Sequence, residues 1–357
     1  MADVAVHASN VAEKWAQDFF AETVRGSRFA RFMGTGTNSV IQVREDMIKE
    51  AGDGITLPLI TRLTGAGVAD DATLEGSEEA LGNYGHKIEL HELAHAVRIG
   101  AFEKIKSEID LLAAAKDMLK LWAMEKMRDD VIARLQSPHT DGTTAYASAT
   151  EGNKDAWCAA NNPTAANQRI LFGAAQSNSS GDHSVDLAKI DSSADEMHQD
   201  LIGLARRMAQ TADHRMRPTN SGSDDYDFFV MFMGSIPFRD LFANYATVLQ
   251  NGMPRGAESN PLFQPGDVWV NGVLCVEVPE IASIAGVGDS GIAVAPTFLC
   301  GAQALGLAWS QRTKVLKDSF DYGRKQGVGI QEIRGIEKLT YNSKQHGVVT
   351  AYVSGAA

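Results

Sequence analysis

One amphipathic pattern, running from Phe102 to Leu135, restricts what this chain can become more than any other feature. Ile105, Ile109, Leu112, Leu119, Ala123, Met127, Val131 and Leu135 recur at gaps of three, four and seven, which puts them on one stripe of an α-helix. Pro138 stands just past the last of them and stops the helix. About 34 residues rising about 1.5 Å each make a rod of about 50 Å, longer than a small domain is wide. A bundle would need comparable helices to pack on such a rod, and no comparable pattern follows. The rod therefore suits an elongated, flat molecule.

The segments on either side are of several kinds. Residues 10 to 24 read as a short helix, capped by Asn10 with Glu13 three residues on, and Val11, Trp15 and Phe19 share one of its faces. A basic, aromatic stretch follows with Arg25, Arg28, Phe29, Arg31 and Phe32. Two readings stand for it: packing on its own domain, or an arm lying on a neighbouring subunit. Residues 52 to 86 are punctuated by Gly52, Gly54, Gly65, Gly67, Gly76, Gly82 and Gly85, and their Asp53, Asp70, Asp71, Glu75, Glu78 and Glu79 face a single Arg62. Such a segment builds no core. It is either a long projecting hairpin or a surface loop without order.

Ile88 to Ile99 mostly alternates and is expected as a strand. Beyond the long helix, residues 138 to 185 read as loops with short helical pieces. A helix is expected from about Ala188 to Ala212, with Asp191, Asp195 and Glu196 favourably near its N-terminal end. Asp227–Met233 is a buried-type strand, and Pro237–Leu249 a helix. Val268–Val278 is a strand turning at Asn271-Gly272, and Phe298–Trp309 a further apolar segment. From Val328 the chain is strand-rich again, ending in Gly347–Val353. Helix and strand mixed in this order give an α+β class.

Composition excludes several functions. A net charge of −12 opposes gripping nucleic acid by phosphate neutralisation, though not enclosing it. Cys158, Cys275 and Cys300 are far apart and form neither a disulfide framework nor a zinc ribbon, which suits a reducing cytoplasm. No stretch approaches 18 apolar residues, so no membrane span is expected, and Met1 to Asn10 lacks the features of a signal peptide.

Two short motifs imitate catalytic sites. His91-Glu92-Leu93-Ala94-His95 fits the H-E-x-x-H pattern, in which two histidines four apart on a helix hold zinc beside a glutamate base. Its flanks alternate as a strand does, and there the two histidines stand about 13 Å apart. Glu103 or Glu108 could supply a third ligand, but nothing marks either. Gly288-Asp289-Ser290-Gly291 resembles the nucleophile segment of chymotrypsin-like proteases, yet Ile292 replaces a glycine and a glycine-rich turn explains it better. Gly34-Thr35-Gly36 lacks the third glycine of a dinucleotide site, and Met118, Met124 and Met127 are expected as core fillers. No catalytic, cofactor-binding or metal residue is assigned, and no cofactor is expected.

A series of segments carries a family resemblance. In order they are His95-Ala96-Val97, Met216-Arg217-Pro218, Asn260-Pro261-Leu262-Phe263, Val270-Asn271-Gly272-Val273, Gly301-Ala302-Gln303-Ala304, and Asp321-Tyr322-Gly323 with Gly327-Val328, Ile333 and Gly335-Ile336. In these, over most of residues 90 to 357, the chain resembles the major capsid proteins of tailed bacteriophages, which share the Hong-Kong-phage-type fold, and among them the N-four-like branch. The resemblance implies an α+β capsid fold with an N-terminal arm at 1–50 and an extended loop with its base strands at 51–100. A spine helix of a peripheral domain would occupy 101–137, an axial domain 138–320, and returning strands of the peripheral domain 321–357.

It also implies a structural protein, not an enzyme, that self-assembles as hexamers and pentamers into the icosahedral head of a virion, inside the bacterial cytoplasm. The head would enclose double-stranded DNA without reading its sequence and without any membrane. A scaffolding protein, a portal and a decoration protein are the implied partners. A nanocompartment shell of the same fold is the alternative reading, and a zinc metallopeptidase through His91-Glu92-Leu93-Ala94-His95 a distant one. The founding fold cross-links neighbours through a loop lysine, but residues 52 to 86 contain none; Lys49 and Lys87 lie at the base. No covalent cross-linking is therefore expected. Like-charged subunits repel, so assembly should strengthen with salt.

Overall fold

The computed structural model describes residues 28–45, 52–61, 63, 65, 67–70, 73–106, 111–138, 142–165, 167–180, 182–212, 214–220, 227–251 and 267–356. The helix expected at 10–24, together with Arg25, lies outside them. Two sheets and one long helix organise the rest.

The first sheet has five strands in the order β1 (Met33–Gly34), β2 (Ile41–Arg44), β12 (Leu305–Phe320), β13 (Lys325–Lys338) and β5 (His91–Gly100). β12 and β13 form a long antiparallel ribbon, and β5 lines its outer edge antiparallel to β13. The second sheet has seven strands: β6 (Ile170–Phe172), β16 (Val348–Ser354), β11 (Val294–Cys300), β8 (Asp227–Met233), β10 (Val273–Glu277) and β9 (Val268–Val270) in that order, with β7 (Thr219–Asn220) also paired to β8. A hairpin of β3 (Gly54–Ile60) and β4 (Asn83–Glu89) stands apart as its own two-stranded sheet, and β14 (Thr340–Tyr341) pairs with β15 (Lys344–Gln345).

The helices are α1 (Ala101–Lys106), α2 (Leu111–Gln136), α3 (Glu151–Asn161), α4 (His183–Leu187), α5 (Gln199–Thr211) and α6 (Ser235–Asn251). The expected rod is thus helical over 101–106 and 111–136; residues 107–110 lie outside the description. Leu119, Ala123, Met127, Val131 and Leu135 are buried along one side, as the spacing predicts. The first two meet Val315, Val328 and Ile330 of the five-stranded sheet, and the last three enter the core shared by both sheets. Met118, expected inside, is 62% exposed, because the position one before Leu119 turns about 100° off the stripe. A buried ionic chain fixes the helix to its sheet: Arg334 donates to Asp130 at 2.6 Å and to Glu332 at 2.7 Å, and Thr313 donates to Glu332 at 2.9 Å.

Strand β8 shows why an unbroken apolar run was needed. Phe229, Met231 and Met233 face the core under α5, whereas Val230 and Phe232 face the core under α2. Both faces are covered, so polar alternation disappears. The β9–β10 turn falls at Asn271-Gly272 as expected, both with positive φ, which a two-residue hairpin loop demands.

Other expectations shift. Residues 188–198 are not helical; the helix begins at Gln199. Asp191 accepts from the Ser193 and Ala194 amides, while Asp195 accepts from those of Ala174 and Asp191. Acids that looked suited to a helix start instead hold turns. Residues 138–185 contain the eleven-residue α3, capped by Thr150 Oγ1 on the Asn153 amide, and strand β6. The strand expected over 88–99 divides at Leu90 between the hairpin and the five-stranded sheet. The apolar 298–309 segment divides between β11 and β12, hence between the two sheets. Residues 321–357, expected to return as one set of strands, likewise part company: β13 lies beside β5, whereas β16 lies in the middle of the seven-stranded sheet.

Candidate assembly surface

Among the described residues, the β3–β4 hairpin is anchored at its base. Leu57 and Ile88 pack with Ala308, Leu339 and Tyr341. Glu337 clamps the same point with both carboxylate oxygens, one accepting from the Glu89 amide at 2.7 Å and the other 2.9 Å from His86 Nε2. His86 Nδ1 lies 3.0 Å from the Thr340 carbonyl oxygen. Beneath the turn from β4 into β5, Gly335 leaves no room for a side chain, since a Cβ there would collide with the Glu89 carbonyl. At the surface, Lys87 pairs with Asp53 at 2.8 Å.

Away from that base the hairpin exposes its apolar side chains. Ile60 is 64% exposed, Leu63 60%, Leu74 65% and Leu81 58%, and Val68 and Tyr84 are exposed as well. Among the described residues of this stretch nothing covers them, and its acids surround them in sequence. Large apolar side chains left in water along one projecting segment mark a contact surface.

A second surface lies on the five-stranded sheet, on the side away from α2. Ala94, Ala96, Leu316, Phe320, Gly327 and Gly329 line an open groove of about 490 Å³ there. Leu316 and Phe320 are 43% and 41% exposed, and Tyr322 at the ribbon tip is wholly so. Sequence reading missed this surface, although Leu316 and Phe320 stand four apart in one strand and so share a face. Met118 and Leu121 on α2 and Phe102 on α1 add further exposed apolar area.

The catalytic imitations do not assemble. His91 and His95 lie on a strand, not a helix, opposite Arg334 and Ile330 respectively, and the His95 ring rests 4.8 Å from that of Trp122. Asp289–Gly291 is a tight turn in which Ser290 has φ 54° and its hydroxyl reaches Asp289. Among the described residues no three His, Cys, Asp or Glu side chains gather as a metal site would require. The three cysteines are buried and none is in a disulfide. No described helix is long and apolar enough to cross a membrane.

The family profile described as phage capsid protein matches residues 3–354. The chain belongs to the phage capsid protein family. The major capsid protein of Pseudomonas phage KPP25 is 27% identical over 364 aligned positions, covering 95% of this chain and 94% of its own. The capsid of cyanophage Pam1 superposes with a TM-score of 0.85 at 33% identity over the full length of both chains. The capsid of Ralstonia phage GP4 superposes with a TM-score of 0.69 at 22% identity, over 92% of this chain and 90% of that one. The architecture is therefore the α+β capsid fold that the sequence resemblance implied. A capsid protein of this family is a structural component of the virion shell, which is assembled from many copies of the chain.

Proposed function

We propose that the chain is the major capsid protein of a tailed phage, placed in the N-four-like branch by its own sequence segments. It closes its shell by laying projecting elements over neighbouring copies. The observation that carries this reading is the hairpin, whose base is built into its own subunit and whose outer part offers four side chains of Ile or Leu, each more than half exposed. A monomer gains nothing from such a segment. A lattice of identical subunits, in which each hairpin is covered by the next copy, buries all of them at once.

In this reading β5, α2 and the β12–β13 ribbon form the peripheral part. The seven-stranded sheet with α3 and α5 forms the axial part at the centre of hexamers and pentamers. The acidic balance keeps enclosed double-stranded DNA mobile, and no catalytic step is involved. Scaffolding and portal proteins are its partners during assembly.

The test is a triple variant, Ile60→Ser, Leu63→Ser and Leu81→Ser. These side chains are solvent-exposed in one subunit, so the fold should change by no more than about 0.5 kcal/mol each. Particle formation, followed by sedimentation and electron microscopy, should fail. Normal particles from the variant would refute the role given to the hairpin.

A further inference from the structure

Arg169 is only 4% exposed, and neither terminal nitrogen of its guanidinium, Nη1 or Nη2, has a hydrogen-bond partner among the described residues. Its backbone is fully engaged. The amide donates to the Asn161 carbonyl and to Asn162 Oδ1, and the carbonyl accepts from the Thr350 amide and Gln345 Nε2. The main chain is therefore held at four points, and Arg169 forms one wall of a cavity of about 20 Å³.

The other walls are Asn161, Pro163, Asn167, Ala212, His214, Lys344 and Gln345. Gln345 Oε1 is also buried without a partner. Beside the cavity the His346 ring packs tilted against that of His214, with centroids 5.0 Å apart. Burial, with His214, Arg169 and Lys344 nearby, pushes His346 down to about 3. The electrostatic surroundings are thus cationic, in a chain whose net charge is −12. No described carboxylate lines the cavity. A buried guanidinium in such a place requires an acceptor, and one of negative charge best offsets its desolvation. The volume admits about one or two water-sized particles, which suits a monatomic ion and excludes phosphate.

We propose that this cavity binds one halide-sized monovalent anion between Nη1 and Nη2 of Arg169, with a water of its shell donating to Gln345 Oε1. The ion would join the C-terminal end of α3 and the 162–169 segment to the β14–β15 hairpin, pinning the strand-rich end of the chain to the α3 region.

The experiment is thermal unfolding of the purified particles at constant ionic strength, with chloride replaced stepwise by gluconate. Because only the folded state would hold the ion, the midpoint should rise by a few degrees with chloride and then saturate. Arg169→Met should abolish the chloride response. If that variant does not fold, bromide-soaked crystals of the unaltered protein should give an anomalous peak at the guanidinium. Asp213 lies outside the described residues and is a nearby carboxylate in sequence, so Asp213→Asn forms a further arm. A chloride response already present in the unaltered protein supports the site. A response appearing only in Asp213→Asn, an unaltered protein indifferent to chloride, or no bromide peak would overturn it.

Discussion

At the scale of single residues, Lys338 is the most consequential buried charge. It is fully buried, and its Nζ donates to the Ser137 carbonyl at 2.6 Å and the Leu135 carbonyl at 3.2 Å, over the Trp157 ring. It thereby satisfies carbonyls at the end of α2 that no helical turn can reach. Burial pushes its pKa down to about 7, with Cys300 acting weakly in the opposite sense. The unfolded chain, titrating near the ordinary value of 10.5, then holds more protons than the folded one between those limits. Stability should therefore rise with pH across that window, by up to about 1.4 kcal/mol per unit from this group. Lys338→Met should lose that rise, as seen by comparing denaturation midpoints of the two proteins at about pH 7.5 and pH 9.5. Equal slopes would show that the lysine is charged in both states. Neither this contact nor the Glu337 clamp on His86 was legible in the sequence. Each joins residues about 200 or more positions apart, and spacing along a chain carries no information at that range.

At the scale of elements, legibility followed periodicity. The stripe of α2 and the unbroken apolar run of β8 were read correctly, because each pattern has one geometric solution. So was the Asn271-Gly272 turn, which needs two positive φ angles. Asp191 and Asp195 misled, since an acid before a helix and an acid closing a turn look alike until the backbone partners are known. Residues 52 to 86 left a hairpin and an unordered loop equally open. The structure pairs β3 with β4 over seven residues of each strand, from Gly54 opposite Glu89 to Ile60 opposite Asn83. The hairpin's seat depends on close backbone approach at Gly335. Gly335→Ala forces the Glu89 carbonyl away and should cost about 1–3 kcal/mol, as overpacking does. Chemical denaturation would measure it, and proteolysis within 61–82 should quicken. An unchanged midpoint would mean the hairpin is seated more loosely than the close approach requires.

At the scale of the whole molecule, two sheets share one core through the end of α2, and the hairpin and the β12–β13 ribbon reach outward from it. The candidate surface was partly legible: glycine and acid content set residues 52 to 86 outside the core without deciding between a hairpin and a loop. The groove on the five-stranded sheet was not, because the β12–β13 ribbon is completed there by β5, which lies far from it in sequence. With no lysine in residues 52 to 86, and Lys87 engaged by Asp53, neighbouring subunits should be held by non-covalent contacts alone. Boiled particles should run as a single monomer band on a denaturing gel, and a ladder of multimers would refute this. The most direct test of the account is a side-chain-resolution cryo-electron microscopy map of the shell. Ile60, Leu63, Leu74 and Leu81 of each copy should be found buried against another copy. A shell in which these four side chains remain in solvent would contradict the account.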